Sequence, residues 1–161
     1  YSPENLGGFF DEQEKRGFTR VPNMDYTNGC KPKFLCGVVL KMNGINYYSP
    51  VTSYKIQKTD NFLILDSNQK VVSSLRFNYM FTVPRELVSQ RSIDQEPDRA
   101  YRSLLSQELR YCIKNQKTIQ CRAERTYRQV LLGKNPGLVV NSCDFLLLEQ
   151  ACLAYTAQKI A

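Results

Sequence analysis

The 161-residue chain contains no histidine. That absence removes the commonest general acid–base group and the usual mixed cysteine–histidine zinc sites, so proton transfer here would fall to hydroxyl, amine or carboxylate groups. Acidic residues are also sparse in the part expected to form strands: only Asp60 and Asp66 lie between Lys33 and Arg85, which argues against a two-metal nuclease centre. No P-loop, G-x-G-x-x-G, G-x-S-x-G or H-E-x-x-H motif occurs. The six cysteines include no C-x-x-C pair, and Cys36, Cys112 and Cys152 fall in apolar runs, so they read as reduced, mostly buried thiols. No stretch approaches the roughly 20 apolar residues expected of a membrane span, and the opening "YSPENLGGFF" has neither the basic nor the apolar region of a signal peptide. The expectation is a cytoplasmic protein with no membrane partner.

Charge is abundant and unevenly placed. The net charge is +7, and the segment from Asp98 to Lys134 alone carries nine basic residues against three acidic ones. Arg99, Arg102, Arg110, Lys114, Lys117, Arg122, Arg125 and Arg128 belong to that segment. Such a concentration is the footprint of a polyanion binder, and equally the composition of a solvated basic helix face.

The length suits one domain spanning 1–161, with a weakly held entry over 1–20, a strand-rich part over 33–84 and a helix-rich part over 98–159. "FLCGVVL" reads as a buried strand, "KMNG" as a hairpin turn with glycine at the positive-φ position, and "INYYS" as the returning strand, broken by Pro50. "NFLILD" is a third strand, "SNQK" a turn, and "VVSSLRFNYMFTVP" one long or two shorter strands ended by Pro84. Consecutive short strands pair antiparallel, and so small a sheet curls to protect its edges.

From Asp98 onward, Tyr101, Leu104, Leu105, Leu109 and Cys112 share one helix face opposite the basic residues. A second helix, about 118–132, sets Ile119, Ala123, Tyr127 and Val130 against Arg122, Arg125 and Arg128. Gly133, Pro136 and Gly137 predict a loop, and Ser142 with Asp144 predicts the start of a last helix whose stripe is Phe145, Leu148, Cys152 and Tyr155. The fold class is α+β: a curled antiparallel sheet with a helical second half packed on it.

Chemistry is left to a lysine and hydroxyl set. Lys33 stands at the mouth of the first hairpin strand, and Thr52, Ser53 and Lys55 follow the end of its partner. In an antiparallel hairpin those two ends are neighbours, so the four residues meet at one end of the sheet. Two cations facing two hydroxyls can grip a phosphate and stabilise the charge that builds during phosphoryl transfer, and an RNA substrate brings its own 2′-hydroxyl nucleophile. The same residue types are ordinary turn residues and strand-end charges. The residues therefore leave three readings open: a ribonuclease, a non-catalytic RNA-binding domain, and a basic protein-interaction module. Of Tyr47, Tyr48, Tyr54, Phe77, Tyr79 and Phe81, strand alternation leaves two or three free to stack on bases.

The run "VPNMDYTNGCKPKFLCGVVLKMNGINYYSPVTSYK", followed by "LRFNYMFTVP", "YRSLLSQELRYCIKN" and "CDFLLLEQ", resembles the toxins of type III toxin–antitoxin systems, the ToxN, AbiQ and CptN group of endoribonucleases. The resemblance runs from about Val21 to Tyr155. It implies a curled sheet related to the SH3-like barrel of Kid and MazF, and a ribonuclease that needs no metal or other cofactor. It further implies that messenger RNA is cut, and a repetitive antitoxin RNA processed, by 2′-hydroxyl attack leaving a cyclic phosphate. The antitoxin repeats would fold as pseudoknots, inhibit by direct binding and close a higher-order toxin–RNA assembly; DNA is not an implied partner. The family's site falls on Lys33, Thr52, Ser53 and Lys55, with Tyr26 as the tyrosine of the preceding loop. Tyr54, Arg76 and the basic residues from Arg99 to Arg128 are the expected RNA contacts.

Overall fold

A β-branched and aromatic run followed by an Asn-Gly pair folds into the hairpin that organises the molecule. Strand β2 (Leu35–Met42) turns at Asn43 and Gly44, with φ of 52° and 79°, into β3 (Ile45–Thr52). Two successive positive φ values match the twist of the flanking strands, which is why Asn-Gly is favoured there. The computed structural model describes residues 2–3, 9–10, 12–13, 20 and 34–161. In it β4 (Asn61–Leu65) and β5 (Val71–Arg76) form a second hairpin around a turn in which Asp66 Oδ1 accepts the Asn68 and Lys70 N–H groups. Short strands β6 (Phe81–Thr82) and β7 (Val88–Ser89) follow, and β7 pairs with β1 (Ser2–Pro3).

The five-stranded sheet has the order β2-β3-β5-β4, with β6 also on β3. All its pairings are antiparallel, and the register of β2 on β3 slips between Gly37 and Leu40, a bulge that curls the sheet. Pro50 does not break the strand as its type predicts. One edge of β3 changes partner there: Tyr47 and Tyr48 face β6, whereas Val51 and Thr52 face β5. The missing proline N–H falls at that seam, where no ladder bond is needed.

Helix α1 (Arg99–Lys114) is capped by Asp98, whose Oδ1 accepts the Tyr101 N–H at 3.0 Å. Helix α2 (Gln116–Leu132) buries Ile119, Ala123, Tyr127 and Val130 as the pattern requires and ends at Gly133 in the left-handed region. The stretch expected to be a loop instead forms a short helix, α3 (Pro136–Val140). Asn135 Oδ1 accepts the Leu138 N–H, and proline occupies the first turn, where its lost donor is not missed. Helix α4 (Phe145–Ile160) is capped by Asp144, while Ser142 turns its hydroxyl back to the Leu138 carbonyl at 2.6 Å.

Within the entry segment the described Phe9 and Phe10 are buried and meet Tyr155 and Phe81 edge to face. Two further expectations need correction. Leu109, assigned to the core face of α1, is 50% exposed, and Glu108 takes the buried place beside it. The segment Pro136–Ile160 is, by length and a mean hydropathy of 1.3, apolar enough to cross a membrane, contrary to expectation. It is interrupted between α3 and α4, and the Phe145, Leu148 and Cys152 face of α4 lies in the core. Cys112, Cys143 and Cys152 are buried free thiols, Cys36 is half-buried and Cys121 exposed; Cys30 lies outside the described residues.

Two buried carboxylates tie the layers together. Glu149 on α4 accepts hydrogen bonds from Tyr47 of β3 at 2.5 Å and Tyr127 of α2 at 2.8 Å. Burial, reinforced by that carboxylate, pushes the Tyr47 phenol well above its ordinary range and the Tyr127 phenol up to about 12. Glu108 accepts from Ser73 of β5 at 2.5 Å, and burial raises its carboxyl above the usual range.

Glu149→Ala strands two phenols, so urea denaturation should show a loss of about 2–5 kcal/mol, against under about 0.5 for an exposed neighbour such as Gln150→Ala. Glu108 titrates above its unfolded value of about 4.3, so its contribution to stability is complete below that pH and is lost as pH rises. Glu108→Gln keeps an acceptor for Ser73 and removes the titration. Its stability should therefore gain on the parent's between about pH 4 and pH 7; parallel pH profiles would contradict this assignment.

Candidate active site

The end of β3 delivers Thr52, Ser53 and Lys55 into solvent beside the start of β2. The Val51 N–H donates to the Phe34 carbonyl at 3.1 Å, so the chain entering β2 runs alongside the residues leaving β3. In sequence, Lys33 directly precedes Phe34. Lys33 and Tyr26 themselves lie outside the described residues.

Thr52 and Ser53 have different surroundings. Ser74 of β5 donates to the Tyr54 carbonyl at 2.6 Å, which commits its proton, so Thr52 Oγ1 at 3.2 Å is the donor to Ser74 Oγ. The Thr52 hydroxyl thus fixes the turn against the sheet. Ser53 and Lys55 are exposed, and among the described residues neither side chain has a hydrogen bond or ion pair. A free hydroxyl and a free ammonium, one residue apart on a pinned turn, are what an incoming phosphate needs.

The loop beyond them is held by a residue that the sequence reading passed over. Asn61 is wholly buried at the first position of β4; its Oδ1 accepts the Lys58 N–H and the Gln57 side chain, and its Nδ2 donates to the Ile56 carbonyl. The available signal was an asparagine at a loop-to-strand junction, a type that closes turns with its own side chain. Ser74 was missed too, since a serine within a strand carries no sign of a partner distant in sequence.

The predicted RNA contacts divide. Tyr54 and Arg76 meet: the Arg76 guanidinium lies 4.7 Å from the Tyr54 ring and 4.4 Å from the Tyr79 ring, and Lys58 Nζ lies 5.6 Å from Tyr54. Arg122 donates to the Asn61 carbonyl over the Phe62 ring and Arg125 to the Thr59 carbonyl, so α2 braces the site loop. Arg102 bonds the Glu96 carbonyl, and Arg128 pairs with Glu124. Arg99, Arg110, Lys114 and Lys117 are exposed. Four of the six strand aromatics, Tyr47, Tyr48, Phe77 and Phe81, are buried, which leaves Tyr54 and Tyr79 for stacking. Among the described residues no group of three histidine, cysteine or acidic side chains could hold a metal ion.

Thr52→Val and Ser74→Ala should each cost about 1 kcal/mol in urea denaturation. Because they break one shared link, the double variant should lose measurably less than the two separate losses added together; strict additivity would deny the link.

Comparison with known proteins places the chain as a whole. The family model described as toxin ToxN of type III toxin–antitoxin systems matches residues 16–153. Endoribonuclease ToxN of Pectobacterium atrosepticum is 24% identical over 140 residues, covering 81% of this chain and 80% of that protein. Endoribonuclease ToxN of Bacillus thuringiensis subsp. kurstaki is 26% identical over 129 residues, covering 74% of this chain; the chain spans 66% of that relative's length. A solved structure from a study of bacterial type III systems, concerned with selective toxin inhibition by a non-coding RNA pseudoknot, aligns with a TM-score of 0.80. It is 21% identical and covers 96% of this chain and 95% of its own, a likeness of fold.

Proposed function

Since the chain belongs to the ToxN family of type III toxin–antitoxin toxins, we propose that it is an endoribonuclease whose reaction centre is the exposed Ser53 and Lys55 pair at the end of β3. The observation that carries this is the pinned turn: Thr52, Ser74 and Asn61 fix the backbone on both sides of two unpartnered functional groups. In an RNA strand laid across it, the 2′-oxygen attacks the adjacent phosphorus and the bond to the 5′-oxygen breaks. Ser53 takes the 2′-proton as it passes one to a phosphoryl oxygen, acting as a relay. Lys55, together with Lys33, stabilises the pentavalent phosphate; Lys55 supplies the proton for the departing 5′-oxygen and recovers one from the phosphoryl oxygen that the relay protonated. The products are a 2′,3′-cyclic phosphate and a 5′-hydroxyl.

Messenger RNA is the target substrate and the repetitive RNA antitoxin is both substrate and inhibitor, held as a pseudoknot over the site in a higher-order assembly. Tyr26 is a secondary candidate for base contact. Arg99, Arg110, Lys114 and Lys117, exposed on the helical half, supply phosphate contacts. The cytoplasm, where these RNAs reside, is the place of action.

Purified protein incubated with RNA in excess chelator should produce discrete cuts with cyclic phosphate ends. Ser53→Ala and Lys55→Ala should each lower kcat by about 10²–10³-fold, with unfolding midpoints unchanged because both side chains are exposed and unpartnered. Undiminished cutting in both variants would remove the site assignment, and intact RNA with the parent would leave only the binding readings. Antitoxin affinity should fall steeply with added salt.

A further inference from the structure

Where the start of β2 passes α1, packing is incomplete. A cavity of about 230 Å³ lies there, walled by apolar groups such as Val51, Ile64 and Leu105 and by two thiols, Cys36 of β2 and Cys112 of α1. The two thiols meet. The Cys112 S–H donates to Cys36, which holds the Cys36 thiol below its ordinary range and the Cys112 thiol well above it. Cys36 is half-buried and Cys112 buried, so one member of the pair is reachable from solvent and the other stands behind it. This is the arrangement of an attacking thiol and a resolving thiol.

The other described cysteines differ. Burial pushes the Cys143 thiol up to about 12 and the Cys152 thiol up to about 11, and Cys121 is exposed on α2. Of the described thiols within the fold, Cys36 therefore has the most thiolate character. Glu108 on the cavity wall opposes a thiolate at Cys36, but burial raises its own carboxyl above the usual range and so diminishes that charge. The cavity has room for hydrogen peroxide, which is little larger than the roughly 30 Å³ of a water molecule.

We propose that Cys36 and Cys112 are a reversible modification site, at which a peroxide converts the two thiols into a disulfide that fastens β2 to α1. The Cys36 thiolate attacks one peroxide oxygen and the O–O bond breaks; the departing hydroxide takes the proton that Cys36 released, leaving a sulfenic acid and water. The Cys112 sulfur then attacks the sulfenic sulfur, the S–O bond breaks, and the Cys112 proton leaves with the hydroxyl as a second water. The thiols lose two electrons and the peroxide gains them. Where glutathione keeps thiols reduced, the dithiol is the resting form, and the disulfide accumulates when peroxide outpaces reduction. The new bond closes a loop from residue 36 to residue 112 across a cavity where noncovalent contact is incomplete.

The test treats the reduced, folded protein with a few equivalents of hydrogen peroxide, alkylates the remaining thiols with iodoacetamide in urea and maps the peptides by mass spectrometry. One crosslinked pair should appear, Cys36 with Cys112, released by dithiothreitol. The oxidised parent should unfold about 5 °C or more above the reduced parent. Cys112→Ala should leave Cys36 as a sulfenic acid that dimedone traps, Cys36→Ser should leave Cys112 open to alkylation, and neither variant should gain in unfolding midpoint on oxidation. The crosslink map and the midpoint of the parent need no substitution, so a variant that fails to fold leaves the outcome decided. Both thiols still alkylated after peroxide, either one joined to a different cysteine, a crosslink that forms only in denatured protein, or an unchanged midpoint would overturn the proposal.

Discussion

The Glu149 carboxylate, buried where sheet and helices meet, is the constraint from which the rest of the architecture follows. A carboxylate out of water is tolerated only when donors meet it, and here the phenols of Tyr47 and Tyr127 both donate to its Oε1. The two rings meet edge to face, and both contact Phe145, so the polar link sits inside an aromatic cluster. The link has a cost in desolvation, but it has one geometry, whereas an apolar contact would tolerate many. Its effect is to fix β3 against α2 and α4 at Tyr47, five residues before Thr52. The proposed reaction centre, Ser53 and Lys55, hangs from the far end of that anchored strand.

Helix α2 carries the constraint to the other side of the site. With Tyr127 held, the preceding turns bring Arg122 and Arg125 onto the carbonyls of Asn61 and Thr59. Two positive charges that composition alone assigns to nucleic acid are thus also loop braces. The overlap is chemically sensible, because a guanidinium has five donors and can hold a carbonyl with one while turning others outward. Arg125 does this beside the 58–60 loop, where it is exposed and has no acidic partner among the described residues.

Elements with a local cause were legible in the sequence. Asn43 and Gly44 dictate their turn, and the apolar spacing of α2 reports its buried face directly. Wherever the cause lies far along the chain, the reading failed. The burial of Glu108 and Glu149 went unread because nothing nearby marks Ser73 or Tyr47 as their partners, 35 and 102 residues away. Pro50 looked like a strand breaker because a sequence cannot show that β3 changes neighbours at that point. The nearness of the end of β3 to the start of β2 was legible for the opposite reason: the ends of a hairpin are adjacent whatever the rest of the fold does. Ser74, whose partners Thr52 and Tyr54 lie 22 and 20 residues away, was hidden by the same long-range dependence as the buried acids, whereas Asn61 has local partners and was passed over.

Arg76 shows why the identity of a cation, and not only its charge, matters at this surface. Its planar guanidinium packs on two tyrosine rings at once and its Nε is buried without a hydrogen-bond partner. A lysine ammonium is compact and strongly hydrated, and would have to shed water to enter the same slot without matching either ring face. The guanidinium is weakly hydrated and polarisable, so it fills the slot as a packing element while its charge still faces anything passing above. Tyr54 is thereby held rigid between its neighbours Ser53 and Lys55. One residue therefore stiffens the turn that carries Ser53 and Lys55 and adds positive potential beside them. Neither effect can be altered alone, since both depend on the same stacked geometry.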